Sequence, residues 1–283
     1  MNALKVRGST AVISGASSGI GAATAVEFGR VGARAVALIG RRKEALERVA
    51  EEVRATGTRA EPYVADLNEL YAIPALAQRI SAELGAPEIL VNNAGAGRWL
   101  FPEETELSEA VAMMNVPYGC AFALTQAFLP AMLQARRGHI VNLSSPACFF
   151  AWPGATAYAV ARWAMRGLSD ALEADLYGTG VNVSLVVPGK VNTEYFGNNP
   201  GTEARLPGTS RFYRTLSPSE VAALIVRAVD ERKRLLIRPW SLALTEMWGR
   251  CFPGSVRTML HETGAKRTRL PLGAQERGDA AQR

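Results

Sequence analysis

Residues 10–14, 35–39, 88–92, 139–143 and 181–187 are short runs of apolar, largely β-branched side chains; 59–65 and 235–238 are weaker runs of the same kind. Between them lie stretches with helical spacing, at 20–31, 43–56, 70–84, 107–135, 158–177 and 218–231. Within 43–56, Leu46, Val49, Ala50 and Val53 recur every three or four residues among charges, the pattern of a helix with one buried face. Strands that are apolar on both faces have no solvent side, so these runs predict a parallel sheet covered by helices above and below. Right-handed crossovers then make it a doubly wound α/β domain with a mostly parallel seven-stranded sheet. The rhythm stops near Pro239, which divides the chain into a domain over 5–238, a hydrophobic helical extension over 239–262 and a basic tail over 263–283 expected to be disordered.

In such a sheet, ligands bind outside the carboxyl ends of the strands, and the unusual residues cluster there. The first strand runs into Gly15, Ser17, Ser18, Gly19, Ile20 and Gly21 at the start of a helix. Glycines at this turn let the backbone approach a ligand, and the free N–H groups of the helix start suit a pyrophosphate. After the second strand, where a free ribose hydroxyl is normally held by a carboxylate, stand Arg41 and Arg42. A guanidinium fork holds a 2′-phosphate that a carboxylate would repel, so the cofactor expected here is NADP(H).

The ordered set of motifs resembles the short-chain dehydrogenase/reductase superfamily over roughly residues 5–240. The glycine turn is followed by Asp66 and Leu67 after the third strand, then Asn92, Asn93, Ala94 and Gly95 after the fourth. Asn115 lies in the long helix, Ser145 follows the fifth strand, Tyr158 comes 13 residues later, and Pro188, Gly189, Val191 and Thr193 follow the sixth. The resemblance implies a single Rossmann-type domain. It also implies an adenine contact at Asp66 and Leu67, cofactor contacts at Asn93, Ala94 and Gly95, and a nicotinamide-covering segment at 188–193. Tyr158 is implied as proton donor, with Ser145 on the same substrate oxygen and Asn115 beside a water relay.

One position departs from the family pattern. The superfamily's Tyr-x-x-x-Lys reads Tyr158-Ala159-Val160-Ala161-Arg162 here. Arg162 keeps the charge and can donate to ribose hydroxyls, but a guanidinium does not give up its proton in a protein, which bars it from any step needing deprotonation. Two readings follow: a working or retuned reductase, and an NADP-binding protein with weak or lost catalysis. Nearby, Pro117 has no N–H to donate, which predicts an irregular turn beside Asn115.

Around the expected carbonyl site fall Trp99, Leu100, Phe101, Phe149, Phe150, Trp152, Tyr195, Phe196, Phe212 and Tyr213. They imply a bulky hydrophobic ketone, aldehyde or secondary alcohol: steroid-like, aromatic, fatty or polyketide. Residues 192–216 are rich in Gly, Pro, Asn and Thr, which suits a mobile substrate loop. The extension, with Trp240, Leu242, Leu244, Met247, Trp248, Phe252 and Leu260, suits a pocket lid or subunit interface ahead of a membrane surface.

Composition adds mainly exclusions. With 48% hydrophobic and 20% charged residues, the chain is an ordinary globular one. The formal net charge is +6, but five basic against two acidic residues sit in 263–283, and no basic block interleaved with aromatics marks a nucleic-acid surface. Three scattered cysteines and two histidines imply neither a disulfide framework nor a metal site, and suit the cytoplasm. Charge comes too early at the N-terminus for a signal peptide. Residues 110–135 carry no charge, but Asn115, Pro117, Gln126, Pro130 and Gln134 fit a buried or interface helix better than a membrane span, and a homodimer or homotetramer is expected.

Overall fold

The computed structural model describes residues 4–95 and 97–267; the basic tail beyond Arg267 lies outside the described residues. Seven strands form one sheet: β1 (Thr10–Ser14), β2 (Ala35–Gly40), β3 (Arg59–Val64), β4 (Ile89–Asn92), β5 (Gly138–Leu143), β6 (Val181–Pro188) and β7 (Leu235–Arg238). Their order is β3-β2-β1-β4-β5-β6-β7, and every pairing is parallel. β1, β2, β4 and β5 are buried along their whole length, which is why they carry unbroken apolar runs. β3, at the edge, alternates in burial and gives the weaker pattern. Strand order reverses between β1 and β4, and this switch point opens the crevice for a ligand.

The helices are α1 (Gly19–Arg30), α2 (Lys43–Arg54), α3 (Ile73–Leu84), α4 (Leu107–Met114), α5 (Cys120–Gln134), α6 (Thr156–Asp175), the short α7 (Tyr195–Asn198), α8 (Pro218–Glu231), α9 (Trp240–Cys251) and α10 (Pro253–Thr263). One core, from Phe28, Val36, Leu38, Leu46, Val53 and Ile225, fills one side of the sheet. A second, from Tyr63, Ile80, Leu124, Phe128 and Leu172, fills the other. α8 starts on a capping box in which Ser217 and Glu220 satisfy each other's backbone N–H groups.

The long helix expected over 107–135 is interrupted. Asn115–Gly119 forms a π-helical turn in which Cys120 N–H donates to Asn115 O, with Pro117 buried inside it. The missing proline donor widens the ladder, as its chemistry requires. Taken together, Leu107–Gln134 is the helix among the described residues long and apolar enough to cross a membrane by composition. Cys120, Leu124, Phe128 and Met132 lay one side of it against the sheet, as a core helix does. A second difference concerns the stretch 263–267, expected to be disordered. It is fastened instead: Lys266 donates to His261 O, and Arg267 Nε bonds Glu103 Oε1 at 2.7 Å.

A buried polar relay crosses the sheet at β5. Ser184 Oγ gives its one proton to Lys233 O at 2.6 Å, so the 2.7 Å contact with His139 Nε2 requires Nε2–H as donor. Nδ1 is then unprotonated and has no partner. Burial, with a smaller contribution from the Arg232 charge, pushes the imidazole down to about 4 from 6.5. The folded state therefore binds fewer protons than the unfolded chain between these values. Stability from this group is complete above about 6.5 and is lost as pH falls through about 4, a difference of about 3 kcal/mol. Urea unfolding across that window should show a shallower pH slope in His139→Gln than in wild type; equal slopes would remove the assignment.

Candidate active site

At the end of β1, Gly15 and Gly19 take φ of 67° and 58°, conformations that side chains resist. A Cβ on Gly15 would lie 2.9 Å from Ala94 Cα, so only glycine lets this turn pass the segment after β4. Asn93 secures it: Nδ2 donates to Ser14 O at 2.9 Å and Gly15 O at 3.1 Å, while the N–H groups of Asn93 and Ala94 both reach Ser14 Oγ at 3.0 Å. Asn92 faces the other way, donating to Asn142 on β5 at 2.9 Å, and Asn142 continues to Ser169 on α6. The first turn of α1 has no acidic residue and no side-chain cap. Its N–H groups and positive dipole end thus stay available to a phosphate. Gly21 is absent from the cleft wall; its role is packing, since a Cβ there would meet Gly15 O at 2.2 Å.

Arg42 Nη2 donates to Ser18 Oγ at 2.7 Å and approaches Ser17 Oγ at 3.4 Å, putting the guanidinium beside the glycine turn. Arg41 and Arg42 line the same cleft as Asp66 and Leu67. Asp66 Oδ1 accepts the Asn68 N–H at 3.0 Å, shaping the loop after β3.

The cleft has a volume of about 870 Å³ and runs from the glycine turn to the C-terminal helices. Ser17, Ser18, Ile20, Gly95, Pro188, Gly189, Val191 and Thr193 border it as expected, and so do Ser145, Tyr158 and Arg162. Ser145 Oγ accepts Ala147 N–H at 3.2 Å and caps the turn Pro146–Cys148. Tyr158 and Arg162, one turn apart on α6, are both buried. Asn115 lies at the π-turn, outside the residues bordering the cleft.

Arg162 has an unusual setting. Its guanidinium carbon is 4.8 Å from the centre of the Tyr158 ring. On the other side is Gly95, where a Cβ would lie 2.8 Å from Nη2. The side chain is 7% exposed, Nε has no hydrogen-bond partner, and no ion pair among the described residues includes it. A buried donor without an acceptor is costly unless a ligand completes it, and Arg162 borders the cleft from which a ligand could do so.

The substrate end is aromatic. Trp99 packs at 5.1 Å from Trp152, 5.4 Å from Tyr158 and 6.2 Å from Phe196. Tyr195 donates to Gly97 O at 2.6 Å; burial, reinforced by Tyr158 nearby, raises its hydroxyl well above the ordinary tyrosine range. Phe150 and Tyr213 complete the expected lining. Leu100, Phe101, Phe149 and Phe212 do not border the cleft: Phe149 joins a core beneath it, Phe212 is 73% exposed, and Phe101 is stacked by Arg205 and Arg267. Leu242, Thr245, Val256, Met259 and Leu260 of α9 and α10 form wall that their helical spacing alone did not assign to the cleft. Cys148 is buried, and burial pushes its thiol up to about 12, so it is no nucleophile.

The family model for short chain dehydrogenase matches residues 9–204. The chain belongs to the short-chain dehydrogenase family. Among curated short-chain relatives it is 36% identical over 266 residues to "Probable oxidoreductase EphD" of Mycobacterium tuberculosis (strain ATCC 25618 / H37Rv), covering 87% of this chain and 43% of that protein. The chain thus spans less than half the length of that relative. It is 34% identical over 250 residues to "Dehydrogenase/reductase SDR family protein 7-like" of Anopheles gambiae, covering 83% of this chain and 77% of the relative. Among solved structures, a metagenomic short-chain oxidoreductase in complex with NADP superposes with a TM-score of 0.68 at 32% identity, covering 82% of this chain and 96% of that one. The short-chain dehydrogenase fold is thereby shown.

Proposed function

We propose that the protein is an NADP(H)-dependent oxidoreductase that interconverts hydrophobic ketones or aldehydes and their alcohols, with Tyr158 as acid/base. The observation that carries this reading is Arg162, a buried and unpartnered donor beneath Tyr158, in a cleft with a phosphate-suited turn at one end and an aromatic box at the other. NADP(H) as cofactor is supported by Arg41 and Arg42 and by the NADP complex of the structural relative.

When bound, the cofactor supplies or accepts hydride. In reduction, Tyr158 gives its hydroxyl proton to the substrate oxygen and Ser145 donates a hydrogen bond to the same atom. Arg162 holds ribose hydroxyls and stabilises the tyrosinate by its charge; it stays protonated throughout. Tyr158 therefore recovers its proton by another route than the side chain four residues on. Trp99, Trp152, Tyr195 and Phe196 exclude water and select a bulky apolar substrate. A protein that binds NADP(H) with weak or lost catalysis is the second reading, favoured by the guanidinium in place of a titratable amine. NADPH oxidation over a panel of hydrophobic ketones and aldehydes decides: turnover supports the enzyme, and binding without turnover on any of them supports the alternative.

Arg42→Ala should weaken NADPH about tenfold to a hundredfold and leave NADH affinity unchanged, because one charge-assisted contact is lost. Calorimetric titration with both cofactors checks it; an equal loss for NADH would remove the 2′-phosphate role. The exposed apolar residues Leu107 and Val111 on α4, Phe122 and Leu133 on α5, and Val160 and Trp163 on α6 support a homodimer or homotetramer. The free cysteines, two of them buried, suit a cytoplasmic location.

A further inference from the structure

α9 carries its apolar residues on two faces. Leu242 points into the fold and borders the cleft. Trp240, Leu244, Met247 and Trp248 recur at helical spacing on the opposite side and are 68%, 49%, 58% and 54% exposed. Phe252, at the turn into α10, extends the stripe; it is 52% exposed and its ring lies 4.4 Å from that of Trp248. Solvated helix faces of a closed fold are polar, so a stripe with two tryptophans needs an occupant.

Charge selects the occupant. Between Pro239 and His261 the one carboxylate is Glu246, which is buried and bonded to Arg250 on the next turn. Arg250 and Arg257 are exposed on α9 and α10. Arg211, also exposed, precedes Tyr213, which ties this loop to α9 by a 2.8 Å bond to Thr245. An apolar stripe with tryptophans, with arginines nearby in the chain and with Glu262 at the far end of α10 as the first exposed carboxylate after it, matches the interfacial zone of an anionic bilayer, where indoles sit at headgroup level and guanidiniums meet phosphates.

We infer that α9, with the start of α10, is a docking surface for an anionic phospholipid membrane. The same two helices wall the distal end of the cleft through Leu242, Thr245, Val256, Met259 and Leu260. Docking in this pose brings the substrate end of the cleft to the lipid phase, where hydrophobic carbonyl compounds partition. That delivery rests on the function proposed above; the docking surface itself rests on the exposed apolar stripe and the arginines around it.

Flotation of the full chain with phosphatidylcholine vesicles, with and without phosphatidylglycerol, tests it independently of turnover. Wild type should float with the anionic vesicles, less so at high salt, and Leu244→Glu/Met247→Glu should weaken flotation by more than about tenfold while binding NADPH normally. Wild type that never floats overturns the inference. So does equal flotation of variant and wild type, which would assign binding to the basic tail. Sedimentation velocity supplies the remaining outcome: an assembly that dissociates in the variant, without flotation of wild type, gives the stripe to a second copy of the chain and also overturns it.

Discussion

Replacing Tyr158 with phenylalanine should lower kcat for NADPH-driven carbonyl reduction by about 10²- to 10⁴-fold, the range a positioned acid/base supplies. NADPH affinity should not change. The phenylalanine ring keeps the stack on Arg162, now 4.8 Å from the ring centre, and the packing against Trp99 at 5.4 Å, so the cleft keeps its shape and loses one hydroxyl. Steady-state rates with a turned-over ketone, beside a fluorescence titration with NADPH, separate the two effects. An unchanged kcat would mean that another group protonates the substrate oxygen.

Arg162→Met is expected to act in two directions. It removes a buried guanidinium whose Nε has no hydrogen-bond partner and whose charge meets the Tyr158 ring and no carboxylate among the described residues, so the cofactor-free protein should melt at a higher temperature than wild type. It also removes the donor that meets the ribose, and NADPH affinity should fall about tenfold to a hundredfold, with kcat falling too. Arg162→Lys restores the charge without the planar fork that fits against Gly95, and should recover binding more fully than methionine. Differential scanning calorimetry with and without NADPH reads both directions. A methionine variant that binds NADPH as tightly as wild type would show that the guanidinium does not serve the cofactor.

Local chemistry was legible wherever one segment makes its own site. The glycine turn, the strand runs buried on both faces and the paired arginines after β2 are read within a few residues; the strands lie in the sheet, and the turn and the arginines border the cleft. Pro117 is a similar case: the missing N–H forecast an irregularity, although not that α4 and α5 would be joined by a π-turn. What could not be read is long-range placement. Phe101 and Phe150 look alike in sequence, yet Phe150 borders the cleft because Gly249 of α9 lets its ring come close, whereas Phe101 is drawn aside by two arginines, one of them 166 residues downstream. The extension, by contrast, was expected as a pocket lid or a subunit interface, and α9 and α10 do wall the cleft; helical spacing left open which of their residues face it. The stretch 263–267 looked like the start of a polar tail because the partner of Arg267, Glu103, lies far away in the sequence.

If NADP(H) completes the Arg162 guanidinium as proposed, the protein's lifetime would depend on metabolic state. A ligand that binds the folded chain and not the unfolded one stabilises in proportion to its saturation, and here it also relieves a cost built into the empty fold. When the pool of that ligand shrinks, the unfolded fraction exposed to proteases would then grow, and abundance would follow supply.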